Sequence, residues 1–335
     1  MELRDLLVRG VNPIIRPRGL NASLDEFLSV YGGGYLKSIT SIVKDVSGRT
    51  YYLSKMAPAD EEYPSFFTDL LDAAESIGFE VSGYVNVFAD AFYAADARFE
   101  TQRGNGKGLE FFVCPNKPEF HRHMITVVRE VAKFKIPRLF LGNLGYARKD
   151  CCLCEDCRTE FAKYLGIRYQ FQGPDAQDPE QYQKWVSWRM MKITKIVQRL
   201  IEAAKEVNSN LDVIPTFPVD PELGFLNDFK EGFGIDIQTI ARSANHLGLE
   251  INPYTAILPS PDSTEFSKFV SNLSFMSDLR SDGVEFSMIH GVLENEEEYS
   301  HAKALAEAVG IKQFYTTIGY PPGFRALREE RLGLR

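Results

Sequence analysis

The sequence predicts a (β/α)8 barrel on three observations. Eight short apolar runs alternate with helical patterns along the chain. Alternation of this kind builds parallel strands joined by right-handed crossovers. Eight such units in 335 residues suit a barrel with one enlarged connection. The main rival, an open doubly wound sheet, would show G-x-G-x-x-G after its first strand, and that motif is absent.

The predicted strands are Asn12–Arg16, Leu36–Lys44, Glu80–Phe88, Pro137–Leu141, Leu211–Thr216, His246–Asn252, Gly283–Met288 and Ile311–Ile318. Most are rich in Val, Ile, Phe or Tyr and bounded by Gly, Pro, Asn or Asp. Between them, Phe66, Phe67, Leu70, Leu71 and Ala74 recur at helical spacing, as do Ile125, Val128 and Val131. The longest helical pattern runs over about 178–207, with Trp185, Ile193, Val197 and Leu200 on its apolar face. Later helices are expected over 236–244, 263–279 and 294–309. The Gly-rich stretch 103–108 lacks the P-loop pattern and reads as a loop. One domain spanning 1–335 is expected, its enlarged connection at about 143–178.

The composition narrows the function. The net charge is -8, with 44% hydrophobic and 25% charged residues. An acidic surface opposes nucleic-acid binding, which depends on neutralising phosphates, and docking on anionic membranes. No apolar run approaches the roughly 20 residues that span a bilayer. The charged start Met1-Glu2-Leu3-Arg4-Asp5 lacks a signal-peptide core, so a cytoplasmic location is expected.

Four of the five cysteines lie within the seven residues 151–157. Such clustering points to metal rather than disulfides. Cys152-x-Cys154-x-x-Cys157 places three thiols on a tight turn entering a helix, whose dipole favours thiolates. Cys114 supplies the fourth ligand and Cys151 is spare. Four thiolates leave no coordination position for water, so the expected role is structural zinc, with an iron–sulfur cluster as the alternative.

Cys114-Pro-Asn-Lys-Pro-Glu119 followed by helix, strand and Cys-x-Cys-x-x-Cys-Arg-x-x-Phe161 resembles the zinc-bearing β-galactosidases of thermophiles and a wider group of glycoside-hydrolase barrels. The strand Gly83-Tyr-Val-Asn-Val-Phe88 is similar to one in that wider group. The resemblance is specific over about 80–165. It implies a zinc-braced barrel that acts on or binds a carbohydrate. It also implies Asn-Glu at the end of the fourth strand and a second Glu at the end of the seventh. Here Leu144 follows Asn143, Gly142 follows Leu141 where the wider group has an acid, and the seventh strand ends Ser287-Met-Ile-His290. The alternative is therefore a zinc-stabilised barrel without hydrolysis, used for sugar binding or assembly.

Barrel chemistry sits at the C-terminal ends of the strands. Carboxylates and amides there can hydrogen-bond sugar hydroxyls, and aromatic faces can stack on sugar rings. Glu250, Asp90 and His290 are the catalytic candidates. Asp45, Asn86, Asn143, Tyr146, Asn252, Tyr254 and Tyr315 are the candidates for binding. Glu250 leads because Gly248, Glu250 and Asn252 share one face of the sixth strand, which should turn the Glu inward. A buried Glu has a raised pKa suited to a general acid. The competing readings are an interior Glu in a packing pair, a helix-capping Asp90 and a satisfied core His290. A small carbohydrate ligand is the expected partner, with no nucleic acid or membrane. Barrels of this kind often form dimers or trimers, so a homo-oligomer is also expected.

Overall fold

A computed structural model describes residues 3–20, 23–32, 34, 36–102, 108–167, 173, 178–219, 225–251, 258–291, 293 and 295–318, with the backbone alone at 110 and 225–228. Eight strands close into one parallel barrel: β1 (Asn12–Ile15), β2 (Ser38–Lys44), β3 (Glu80–Asn86), β4 (Arg138–Gly142), β5 (Asp212–Val219), β6 (His246–Ile251), β7 (Glu285–His290) and β8 (Gln313–Ile318). Each pairs with its sequence neighbours, and β1 closes the ring on β8 through Asn12 opposite Tyr315.

All eight predicted strands are present, with boundaries moved by at most three residues. The expected 263–279 helix is two, Thr264–Asn272 and Phe275–Ser281. Of the stretch read as a loop at 103–108, residues 103–107 lie outside the described residues, and Gly108 opens the strand Gly108–Val113, which pairs antiparallel with Glu100–Gln102. That strand pair docks on the exit of β3, where the Asp90 amide donates to the Phe111 carbonyl at 2.7 Å and the Val113 amide to the Phe88 carbonyl at 3.0 Å. It delivers the chain directly to Cys114.

The long connection from β4 to β5 carries helices Glu155–Leu165 and Pro179–Val207. Asp178 caps the longer one through the Gln181 amide. Trp185 and Trp188, at helical spacing, are buried, stack at 5.1 Å and pack on Phe161. They belong to the core of this connection. Ladder alternation puts Phe140 and Tyr315 inside the barrel, ring against ring at 5.1 Å, as a floor beneath the C-terminal mouth. No helix among the described residues is long and apolar enough to cross a membrane.

Candidate active site and metal-binding cluster

A cavity of about 360 Å³ opens at the C-terminal ends of the strands. Five of the predicted site residues line it together: Asp45, Asn86, Asn143, Tyr146 and Glu250. Arg16 stands on the same wall.

Glu250 faces inward from β6, as the alternation with Leu249 and Ile251 requires. Burial pushes its carboxyl above the ordinary value of 4.5, while hydrogen bonds from Tyr84 and Thr216 oppose the rise. The Tyr84 hydroxyl donates to Glu250 Oε2 at 2.8 Å. Tyr84 is the site residue that the sequence reading missed. It shares the inward face of β3 with Asn86, and its ring lies nearly parallel to Phe140, 6.4 Å away.

Gly142 explains how Tyr84 reaches across. A Cβ on Gly142 would fall 1.8 Å from the Tyr84 hydroxyl and 2.3 Å from its ring carbon Cζ. The β4 position where the resembling enzymes carry an acid is therefore filled from β3. An unbranched strand position facing a large aromatic was the available signal, since a strand glycine often marks such a close approach.

Asp45 sits at the rim and accepts four hydrogen bonds. These come from the Ser47 amide at 2.9 Å and hydroxyl at 2.5 Å, the Arg49 amide at 3.3 Å and the Tyr51 hydroxyl at 2.9 Å. Asn143 takes the left-handed conformation at φ 51°, which Asn tolerates. Its amide then donates to Asn86 Oδ1. Asn86 in turn donates to the Lys44 carbonyl at 3.0 Å.

Asp90 and His290 stand apart from the cavity wall. Asp90 is fully buried, forms a 2.9 Å ion pair with Lys44 and caps the short helix Ala91–Ala94 through the Tyr93 amide. The capping reading describes it. Lys44 also donates to the Asn86 carbonyl at 2.9 Å, so the buried pair supports the wall from behind. A register shift between Ile42 and Lys44 carries the lysine to that place. Ile289 lines the cavity, so alternation turns the buried His290 to the other face of β7. Tyr315 lies one layer below the cavity and donates to Gln313 at 3.1 Å. Glu285 opens β7 at the opposite, N-terminal end and is exposed. Asn252 and Tyr254 lie outside the described residues.

The cysteines gather as their spacing predicts. The sulfurs of Cys114, Cys152, Cys154 and Cys157 all lie within 4.8 Å of one another, and all four residues are buried. Cys114 is 3.8 Å from Cys154 and 3.4 Å from Cys157. Tetrahedral bonds of about 2.3 Å imply sulfur–sulfur edges of about 3.8 Å, so the group can hold a metal ion. Hydrogen bonds from the neighbouring thiols hold Cys154 far below the usual thiol range, whereas burial pushes Cys114 and Cys157 up. A cation would stabilise the full set of thiolates. Cys151 stands outside the cluster, its thiol pushed up to about 12 by burial and Asp150.

No protein-family model and no curated protein sequence matches the chain. Solved structures do. The catalytic domain of β-amylase from Paenibacillus polymyxa aligns at TM-score 0.65 and 12% identity, over 97% of this chain and 98% of that one. The PgaB (BpsB) glycoside hydrolase domain from Bordetella bronchiseptica aligns at 0.66 and 13%, over 97% of both. The β-galactosidase from Bacillus circulans sp. alkalophilus aligns at 0.64 and 14%, over 91% of this chain but 50% of that one. The chain thus spans the amylase and PgaB domains and about half the length of the β-galactosidase. The resemblance first carried by the cysteine pattern extends to the whole barrel: its architecture is that of glycoside-hydrolase barrels.

Proposed function

We propose that the barrel binds a carbohydrate at its C-terminal mouth and acts on it as a glycoside hydrolase, with Glu250 as proton donor. The observation that carries this reading is an inward Glu250, its pKa raised by burial, on the wall of the cavity at the strand ends. A carboxyl whose hold on its proton is strengthened by burial is suited to protonate a leaving glycosidic oxygen. Tyr84 fixes its orientation. Asp45, at the end of β2 across the barrel, is a second carboxylate lining the cavity, and Asn86, Asn143 and Arg16 offer hydrogen-bonding groups to sugar hydroxyls. The Lys44–Asp90 pair acts as a positioning element for Asn86.

A second reading rests on the β4 and β7 exits. Gly142 and Ile289 stand there, so neither exit supplies a carboxylate among the described residues. On that reading the mouth binds sugar without cleaving it. A panel of aryl glycosides separates the two. Turnover that is lost in Glu250→Gln, with sugar binding retained, supports hydrolysis. Binding without turnover selects the second reading, and neither binding nor turnover overturns both.

The cysteine cluster is proposed as a structural zinc site with a closed shell of four thiolates. Elemental analysis of freshly prepared, reduced protein tests this. About one equivalent of zinc is expected; a comparable amount of iron instead would refute it.

A further inference from the structure

We infer that Asn116 couples the cysteine cluster to the cavity wall, so that the state of the cluster governs the position of Tyr146. Asn116 is 4% exposed and sits between the two sites. Its side-chain amide donates to Cys157 Sγ at 3.1 Å and to the Tyr146 hydroxyl at 2.9 Å. Its backbone amide donates to Cys114 Sγ at 3.4 Å. One residue therefore contacts two sulfurs and one wall side chain.

The chemistry of the amide gives the link a direction. A thiolate sulfur accepts hydrogen bonds, so only the NH2 end of Asn116 can face it. The opposite end, Oδ1, is buried without a hydrogen-bond partner. The orientation of the amide is thus set by its two donated bonds alone. A cation held by the four sulfurs would keep Cys157 as a thiolate, a stronger acceptor for the Asn116 amide. The other amide hydrogen is then aimed at Tyr146.

Tyr146 has little freedom to ignore this. Its ring lies 4.3 Å from the Arg189 guanidinium, and its backbone amide donates to the Phe233 carbonyl at 2.8 Å. Arg189 also donates to the carbonyls of Arg148, Glu231 and Gly232. Both Tyr146 and Phe233 line the cavity. Loss of the cation would release the amide, then Tyr146, then the segment after β4 that forms the mouth. The functional consequence, that metal loading sets ligand affinity, rests on the reading of the cavity given above. The link itself does not.

The test uses the full chain loaded with zinc and needs no sugar. Zinc release to a chromogenic chelator is followed in the parent, Asn116→Ala, Tyr146→Phe and the double variant. Outer partners of metal ligands are typically worth ten- to a hundred-fold in affinity. Asn116→Ala should therefore speed release by roughly that factor. Tyr146→Phe, which touches no sulfur, should speed it several-fold in the parent and not at all in the Asn116→Ala background. Unchanged release in Tyr146→Phe, or additive effects in the double variant, would overturn the coupling. Hydrogen exchange guards against misfolding. On zinc removal the Tyr146 amide should lose protection while the β7 amides keep theirs. Equal protection of Tyr146 with and without zinc would also overturn it.

Discussion

Replacing Gly142 by alanine should damage this barrel far more than one methyl group suggests. The added Cβ would lie 1.8 Å from the Tyr84 hydroxyl, 2.3 Å from Cζ and 2.6 Å from Cε1. Tyr84 cannot simply retreat. Its ring is stacked on Phe140, its strand is paired on both sides, and its hydroxyl is held by Glu250 at 2.8 Å. Any shift that relieves the clash breaks that bond. Losing a buried hydrogen bond to a carboxyl group costs about 1.5–3 kcal/mol. Overpacking the core costs about 1–3 kcal/mol more. The sum is roughly 2.5–6 kcal/mol. At about 2 °C per kcal/mol for a chain of this size, Tm should fall by about 5–12 °C. The assay is thermal melting followed by circular dichroism. Gly232→Ala is the control, because nothing lies within 4 Å of its added Cβ. Tyr84→Phe should not rescue Gly142→Ala, since the ring carbons still clash, whereas Tyr84→Leu should recover part of the loss. A Gly142→Ala variant melting within about 2 °C of the parent would refute the reasoning that Tyr84 fills this space.

Three further outcomes follow from the same geometry. Asp90→Ala leaves Lys44 buried and unpaired and should cost about 3–5 kcal/mol in chemical denaturation, while Lys44→Met with Asp90→Leu should regain most of it; equal losses in the single and double variants would show that the pair is not the cause. Cys114→Ser should drop zinc content well below one equivalent and lower Tm, whereas Cys151→Ser should leave both unchanged; zinc loss in Cys151→Ser would place it in the shell. Glu250 has a folded pKa raised above 4.5, so the folded state binds more protons than the unfolded chain between that value and the raised one. Its contribution to stability is therefore lost as pH rises through this window. Glu250→Gln lacks this slope, so its urea midpoint should gain on the parent's as pH climbs from 4.5; a midpoint difference that moves the other way contradicts the burial of Glu250.

Periodicity and spacing carried the fold because they depend on which residues face inward, and that is local information. The barrel strands, the long helix from Pro179 and the cysteine cluster were all legible on those grounds. Glu250 was legible too, through the alternation Gly248–Leu249–Glu250–Ile251. Asp90 and His290 follow strand exits in sequence, but the pairing of Asp90 with Lys44 and the parity that turns His290 away from Ile289's face are set by the fold. Neither is visible from residue type. Tyr84 was quoted in a strand motif without a role, because its role depends on Gly142, which lies 58 positions later. Asn116 was likewise only a letter between Cys114 and the next helix.

The absent acid at β4 also changes meaning once Tyr84 is seen. A lost carboxylate would leave a gap, or water, at the end of that strand. Here the space is occupied, and its occupant makes a directed hydrogen bond to Glu250, whose pKa burial raises. Gly142 and Tyr84 are two halves of one solution: the glycine has no value without the aromatic, and the aromatic cannot fit without the glycine. The Tyr84–Glu250 hydrogen bond thus joins β3 to β6 across the mouth, and on the reading proposed above Glu250 is where the chemistry lies.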